Sequence, residues 1–255
     1  MKLTPAVSDG AQEQLIAIVA HELRHPLMPI RNAAALLRQD SPDAATIRRA
    51  AEIIERQASD MNRLIGDLVE VSRVQQGTLE LRRVRAPFSA LVEHALEAAG
   101  PMVSECERTL YVSVSPQPVY LEMDVLRLGQ ALQNIIGNAC KYTDKHGHIH
   151  LRAQREGAQA VISISDTGIG IPDAELETIF GLFVKSERGG GIAPGLGLGL
   201  YLARQFIEAH GGTVTAASPG SGRGSVFTVR LPCEVPTEPA FDSVDAATAG
   251  DLSPA

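Results

Sequence analysis

The sequence holds no tryptophan, and aromatic residues make up only 4% of its 255 positions. Any core must therefore be filled by Leu, Ile, Val and Ala, the residues that pack helices; the apolar fraction of 44% supplies enough of them. There is no apolar run of about 18 residues or more, which excludes a transmembrane helix in this chain. The opening stretch MKLTPAVSDGAQEQ has no signal-peptide apolar core. Lysine and arginine form no large cluster, and the formal net charge is −7, which argues against nucleic-acid binding. Cysteine is scarce too. Cys106, Cys140 and Cys233 are odd in number and show no CxxC spacing, so no disulfide framework is expected and a reducing compartment suits them. These absences lead to the expectation of a soluble, cytoplasmic chain with no nucleic acid and no direct membrane contact.

What is present is patterned in two ways. Over residues 11–38, Ile16, Val19, Leu23, Pro26, Ile30, Ala33 and Leu37 recur at alternating spacings of three and four, a heptad seam on a long helix. A second seam runs through Ile47, Ala51, Ile54, Ala58, Met61, Ile65 and Leu68, after Ser41 as the expected N-cap and Pro42 as first helical residue. Two such helices with a short connection make an antiparallel hairpin. A hairpin alone buries too little apolar surface, so two copies are expected to pair into a four-helix bundle, which makes the protein a homodimer. Docking of the hairpin on its own C-terminal half is the other arrangement. From Phe88 the pattern changes to mixed helices and strands: helices over 88–99, 124–140 and 199–210, strands near 110–114, 118–122, 148–155 and 160–165, and a hairpin at 213–218 and 224–231. That mixture predicts an α/β sandwich. The expected organisation is a helical domain at 1–76, a linker at 77–87, an α/β domain at 88–232 and a disordered acidic tail at 233–255.

Several polar groups fall outside this packing logic. His21 lies roughly 160° around the helix from Val19 and Leu23, off the seam. Glu22 follows it, and Pro26 leaves the carbonyl of Glu22 without its helical N–H partner. Further on, Asn134 and Asn138 are one helical turn apart, with Lys141 and Tyr142 near that face. Asp166 ends a strand and is followed by Gly168 and Gly170. Gly195, Gly197 and Gly199 lead into an apolar helix, where backbone N–H groups and a positive dipole end suit phosphate. Phe180 and Phe183 fit either a lid anchor or ordinary core.

The string AHELRHPLMPIRNAAALL resembles the phosphoacceptor box of sensor histidine kinases. LGQALQNIIGNACKYT, DTGIGIP and GLGLGL follow in the order of the ATP-binding module shared by histidine kinases, DNA gyrase, mismatch-repair ATPases and a heat-shock chaperone. The resemblance covers roughly residues 12–232. It implies a dimeric phosphoacceptor bundle followed by an ATP-binding α/β sandwich. It implies His21 as the phosphorylated residue, with Glu22 as the carboxylate that bonds or deprotonates it. It further implies Asn138, with Asn134, at Mg²⁺ and phosphate, Asp166 at the adenine amino group, and Gly168, Gly170, Gly195, Gly197 and Gly199 as backbone contacts to ATP. Lys141 and Tyr142 are added for phosphate and base. The implied activity is a protein-histidine kinase that passes its phosphoryl group to an aspartate of a response-regulator receiver domain. His25 departs from the family, which usually has Thr or Asn there to place water for dephosphorylating the partner; phosphatase activity is left open. A catalytically decayed scaffold or phosphotransfer module, and an ATPase of the same fold using water, are the rival readings. The intact Asn138, Asp166 and glycine set counts against the first, and His21 against the second.

Overall fold

The computed structural model describes residues 9–185 and 195–234. Residues 235–255 of the expected tail and most of the glycine-rich stretch, residues 186–194, lie outside the described residues. The chain opens with α1 (Asp9–Leu37), which continues unbroken through Pro26 and Pro29, and turns back into α2 (Ala44–Gln75). The cap of α2 differs from expectation. Ser41 takes a left-handed φ of 61°, and Asp43 is the N-cap, its carboxylate accepting from the Thr46 amide at 2.6 Å. Only Asp43 has the extended backbone that an N-cap requires, with φ −70° and ψ 163°. Pro42 therefore precedes the cap.

Small residues set the hairpin's spacing: Ala33 and Ala50 are fully buried, and Pro26 is buried with them. The second seam behaves differently. Ile47 and Ile65 are close to half exposed, as are Leu27, Met28 and Val69. The buried face of α2 carries Leu64, Asp67, Glu70 and Val71 instead. Leu64 and Val71 join the hydrophobic core of the C-terminal half, so one face of α2 docks on the chain's own α/β domain. On its seam Ile47, Ala51, Ala58 and Ile65 stay exposed, while Leu68 packs against that core.

The linker is shorter than expected. Residues 84–87 form β1 (Val84–Pro87), followed by α3 (Phe88–Glu105), β2 (Thr109–Val114) and β3 (Tyr120–Met123), and β1 pairs antiparallel with β3. The α3 helix runs past Gly100-Pro101, where a stop was expected. Proline removes one helical hydrogen bond, and here it does so at an exposed position while Ala99, Met102 and Val103 continue to pack on the core. Next come α4 (Val125–Tyr142), β4 (His148–Glu156), β5 (Gln159–Asp166) and a short α5 (Asp173–Leu176). The chain closes with α6 (Gly199–Ala209), β6 (Thr213–Ala217) and β7 (Ser225–Pro232).

The main sheet has the order β2-β4-β5-β7-β6, with β2 parallel to β4 and the other neighbours antiparallel. Alternation along the strands decides its faces. Ile149, Leu151, Ala153, Ile162, Ile164, Phe227, Val229 and Leu231 are buried beneath the helices, while His148, His150 and Arg152 face out. The α4 helix buries Leu128, Ala131, Leu132, Ile135, Ile136 and Ala139, the spacing of a stripe laid on a sheet. The result is an α/β sandwich preceded by a helical hairpin.

One buried node ties these pieces. The Asp124 amide donates to Nε2 of His210 at 2.9 Å, and Nδ1–H of His210 donates to the Phe206 carbonyl at 2.7 Å. The Asp124 carboxylate caps α4 through the Arg127 amide and also accepts from the Arg82 amide at 2.9 Å. Burial holds the His210 pKa below its ordinary value, in keeping with a neutral ring that accepts at Nε2.

Asp67 carries a testable cost. Burial, aided by the Glu70 charge and opposed by Arg63, pushes its carboxyl up to about 6 from 3.8. The folded state thus holds the Asp67 proton more tightly than the unfolded chain does, so stability falls as pH rises from about 4 to about 6 and stays low above that. Asp67→Asn removes the penalty. Urea unfolding at pH 7.5 is expected to show the variant more stable by about 1–3 kcal/mol, with the gap closing toward pH 4.

Candidate functional site

His21 and His25 are both exposed on α1, one turn apart. Their Nε2 atoms are 3.2 Å apart, and the rings meet edge to face with centroids 4.7 Å apart. Glu22 takes another direction. It is buried, accepts from Lys185 Nζ at 2.5 Å and from the Gly195 amide at 3.3 Å, and among the described residues is not bonded to His21. The reason is helical geometry: successive side chains diverge by roughly 100°, so adjacent residues do not face each other. In this arrangement the expected carboxylate–imidazole pair is replaced by a contact between α1 and the C-terminal domain.

A cavity of about 1040 Å³ opens between α4, the start of α6, the end of β5 and the inner face of α2. It gathers Asn134, Asn138, Lys141, Tyr142, Asp166, Gly170, Gly195, Gly197 and Gly199. Gly168 is not in its wall, and neither are His21, Glu22 or His25.

Asp166 stands where β5 ends. Its Oδ1 accepts from the Gly168 amide at 2.8 Å, and its Oδ2 accepts from the Ser225 hydroxyl. The glycines around it answer to the chain's own packing. A Cβ on Gly168 would lie 2.2 Å from the Tyr142 carbonyl oxygen, and one on Gly170, at φ +70°, would lie 2.1 Å from that of Gly220. Both would collide with backbone, so only glycine fits. Sequence reasoning assigned these glycines to ligand approach; the structure supplies a different need for them.

Cations converge on the same cavity. Lys185 and Arg63 line it together with Lys141. Burial first, then the charges of Lys185 and Arg63, hold the Lys141 ammonium below its ordinary pKa, with Glu22 partly offsetting them. Crowded cations of this kind favour an anion. No described side chain caps α6, and Gly197, Leu198, Gly199 and Leu200 at its start line the cavity. An uncapped helix N-terminus presents N–H groups and positive potential to phosphate. Asn134 has a structural task, donating its amide to the Gly199 carbonyl at 3.0 Å and so fixing that start. Tyr142 is half-buried beside Lys141, whose Nζ is 5.2 Å from its ring centroid. Phe180 is core, edge-on to Phe227.

The wall also carries Arg56, Arg108 and the acids Glu52, Glu55, Asp60, Asp67 and Glu175. Within it, the oriented Asp166 carboxylate, the cations Lys141, Lys185 and Arg63, and the uncapped helix end suit a nucleotide. Asn138, on the cavity wall of α4, is the residue whose amide oxygen would hold Mg²⁺. Sequence reasoning missed Lys185, Arg63 and Ser225. Lys185 had one signal, its place just ahead of the glycine-rich stretch. Arg63 had none, because only docking of α2 brings it there.

Comparisons with known proteins agree with this layout. Residues 11–77 match the His Kinase A (phospho-acceptor) domain, and residues 123–235 match the histidine kinase-, DNA gyrase B- and HSP90-like ATPase. Sensor histidine kinase ZraS of Escherichia coli is 31% identical over 230 residues, which cover 88% of this chain and 47% of that protein. Adaptive-response sensory kinase SasA of a Synechococcus species is 31% identical over 225 residues, 87% of this chain and 59% of that one. The chain thus spans about half the length of these curated relatives. Full-length ShkA in complex with AMPPNP superposes with a TM-score of 0.62 at 28% identity, covering 87% of this chain and 46% of that one. Histidine kinase ThkA in complex with response regulator protein TrrA shares the fold, with a TM-score of 0.61 at 22% identity, covering 86% and 61%. With a phospho-acceptor hairpin followed by an ATPase sandwich, in that order on one polypeptide, this chain belongs to the histidine kinase family.

Proposed function

We propose that the chain is an ATP-dependent protein-histidine kinase that phosphorylates His21 and passes the phosphoryl group to an aspartate of a receiver domain. The observation that carries this reading is one cavity with an oriented acid, Asp166, and a cationic cluster in its wall, on a chain that exposes a histidine on a phospho-acceptor helix. Asp166 accepts a hydrogen bond from the adenine amino group, its carboxylate held by Gly168 and Ser225. Lys141, Lys185 and Arg63, with the α6 N-terminus, hold the phosphates. Asn138 in the cavity wall would hold Mg²⁺, which would supply positive charge to the phosphates. His21 attacks in line through a ring nitrogen. Because His21 does not line the cavity, the transfer needs the two domains to move about the segment between α2 and β1. Glu22 must leave Lys185 before it can serve the imidazole.

Homodimer formation belongs to the same reading. The exposed part of the α2 seam, with Ile47 and Ile65 nearly half exposed, supports pairing of two hairpins. No described helix is long and apolar enough to cross a membrane.

Incubation with γ-labelled ATP is expected to give an acid-labile, alkali-stable label on the protein, absent in His21→Ala. Label that persists in that variant sinks the assignment. Asp166→Asn is expected to weaken ATP binding by about ten- to a hundredfold, since loss of a charged acceptor costs about 1.5–3 kcal/mol; calorimetry measures it. Ile65→Glu is expected to shift the light-scattering mass from dimer to monomer, because a charge in the seam is buried unpaired.

A further inference from the structure

We propose that His21 and His25 form a two-point binding site for a divalent transition-metal ion of the zinc, nickel and copper class. We further infer that metal loading and phosphorylation of His21 exclude one another, an extension that rests on the kinase reading above.

The argument begins with spacing. His21-Glu22-Leu23-Arg24-His25 is a His-Glu-x-x-His pattern on an unbroken helix, which sets the two imidazoles one above the other on one face. The structure adds the distance that matters. The Nε2 atoms stand 3.2 Å apart. A metal ion that holds two imidazole nitrogens at about 2.0–2.1 Å with a tetrahedral angle between them sets those nitrogens about 3.3 Å apart. The free pair therefore has, to within a few tenths of an ångström, the nitrogen separation that a chelated ion needs, and ring rotation rather than a change in the helix brings both lone pairs to it. Imidazole suits zinc, copper and nickel rather than magnesium, so the ion that serves ATP does not compete here.

Both rings are exposed, which leaves room for water to complete the coordination sphere. Glu22 is turned to Lys185 and Gly195 and is not the third ligand in this arrangement. Among the described residues no group of three or more His, Cys, Asp or Glu side chains could hold a metal ion. The site is therefore a two-ligand, water-completed one, exchangeable rather than structural.

Chemically the step is a ligand exchange. In the free pair one Nε2 carries the hydrogen that the other accepts. In the bound pair each ring carries its hydrogen on Nδ1, so one ring changes tautomer and two waters leave the ion. His21 then has its Nε2 lone pair on the metal, and that lone pair is unavailable to a phosphoryl group.

The test uses the tag-free full chain without nucleotide, titrated with Ni²⁺ in a calorimeter. One saturable site per protomer is expected. His21→Asn and His25→Asn should each weaken it on the order of 100-fold, the loss that follows when a second linked contact is removed. His25→Gln serves as a second substitution, with circular dichroism confirming that the helix survives. An isotherm unchanged in all three variants overturns the site. With Ni²⁺ at a concentration that saturates the wild-type site, labelling from Mg·ATP should be lost; full labelling there overturns mutual exclusion. A protein that takes no label even without Ni²⁺ sinks the kinase reading alone, because the calorimetric result still decides the metal site.

Discussion

The hydrogen bond from the Asp124 amide to His210 Nε2 fixes where α4 stands relative to α6. Asp124 caps the start of α4, and His210 follows the end of α6. Joining the start of one helix to the end of the other leaves their opposite ends together. Those ends carry Asn138, Lys141 and Tyr142 on α4 and Gly197, Gly199 and Leu200 on α6, which is where the cavity lies. The same Asp124 carboxylate receives the Arg82 amide from the segment that follows the hairpin, so one buried residue registers both domains. The node tolerates little change, because a buried amide that loses its acceptor bears its full desolvation cost.

Asp166 depends on a second constraint, made almost wholly of backbone. The turn after β5 is stitched to the turn before β7: the Gly224 amide donates to the Gly168 carbonyl at 2.9 Å, and the Gly222 amide to that of Ile169 at 2.6 Å. A Cβ on Gly224 would lie 1.9 Å from the Asp166 carbonyl oxygen. Glycines at 168, 170 and 224 thus let two turns touch, and the touching turns aim the carboxylate.

The legible parts of this protein were those written in periodicity and in glycine. Heptad spacing announced α1 and α2, and alternating strands announced the sandwich. Gly195, Gly197 and Gly199 announced the start of α6. Legibility failed where the deciding partner was distant in sequence. β1 reads as a basic linker until β3 is beside it. Asp43 outranks Ser41 as a cap only through backbone angles that a sequence does not display. The direction of Glu22 depends on Lys185, which is 163 positions away. The heptad seam left open whether the hairpin pairs with a second copy or docks on its own C-terminal half, and the folded chain shows one face of α2 docked on its own α/β domain.

Lys185 stands at a crossing point. Its ammonium lies in the cavity wall and simultaneously grips a carboxylate of the first helix. One ammonium has a limited reach, so an anion arriving in the cavity and the Glu22 carboxylate draw on the same donor. Such rivalry is reciprocal by thermodynamic necessity: whatever the hairpin contact takes from affinity in the cavity, an occupant of the cavity takes from the hairpin contact. Filling the cavity and freeing the phospho-acceptor helix are, on this geometry, two faces of a single equilibrium.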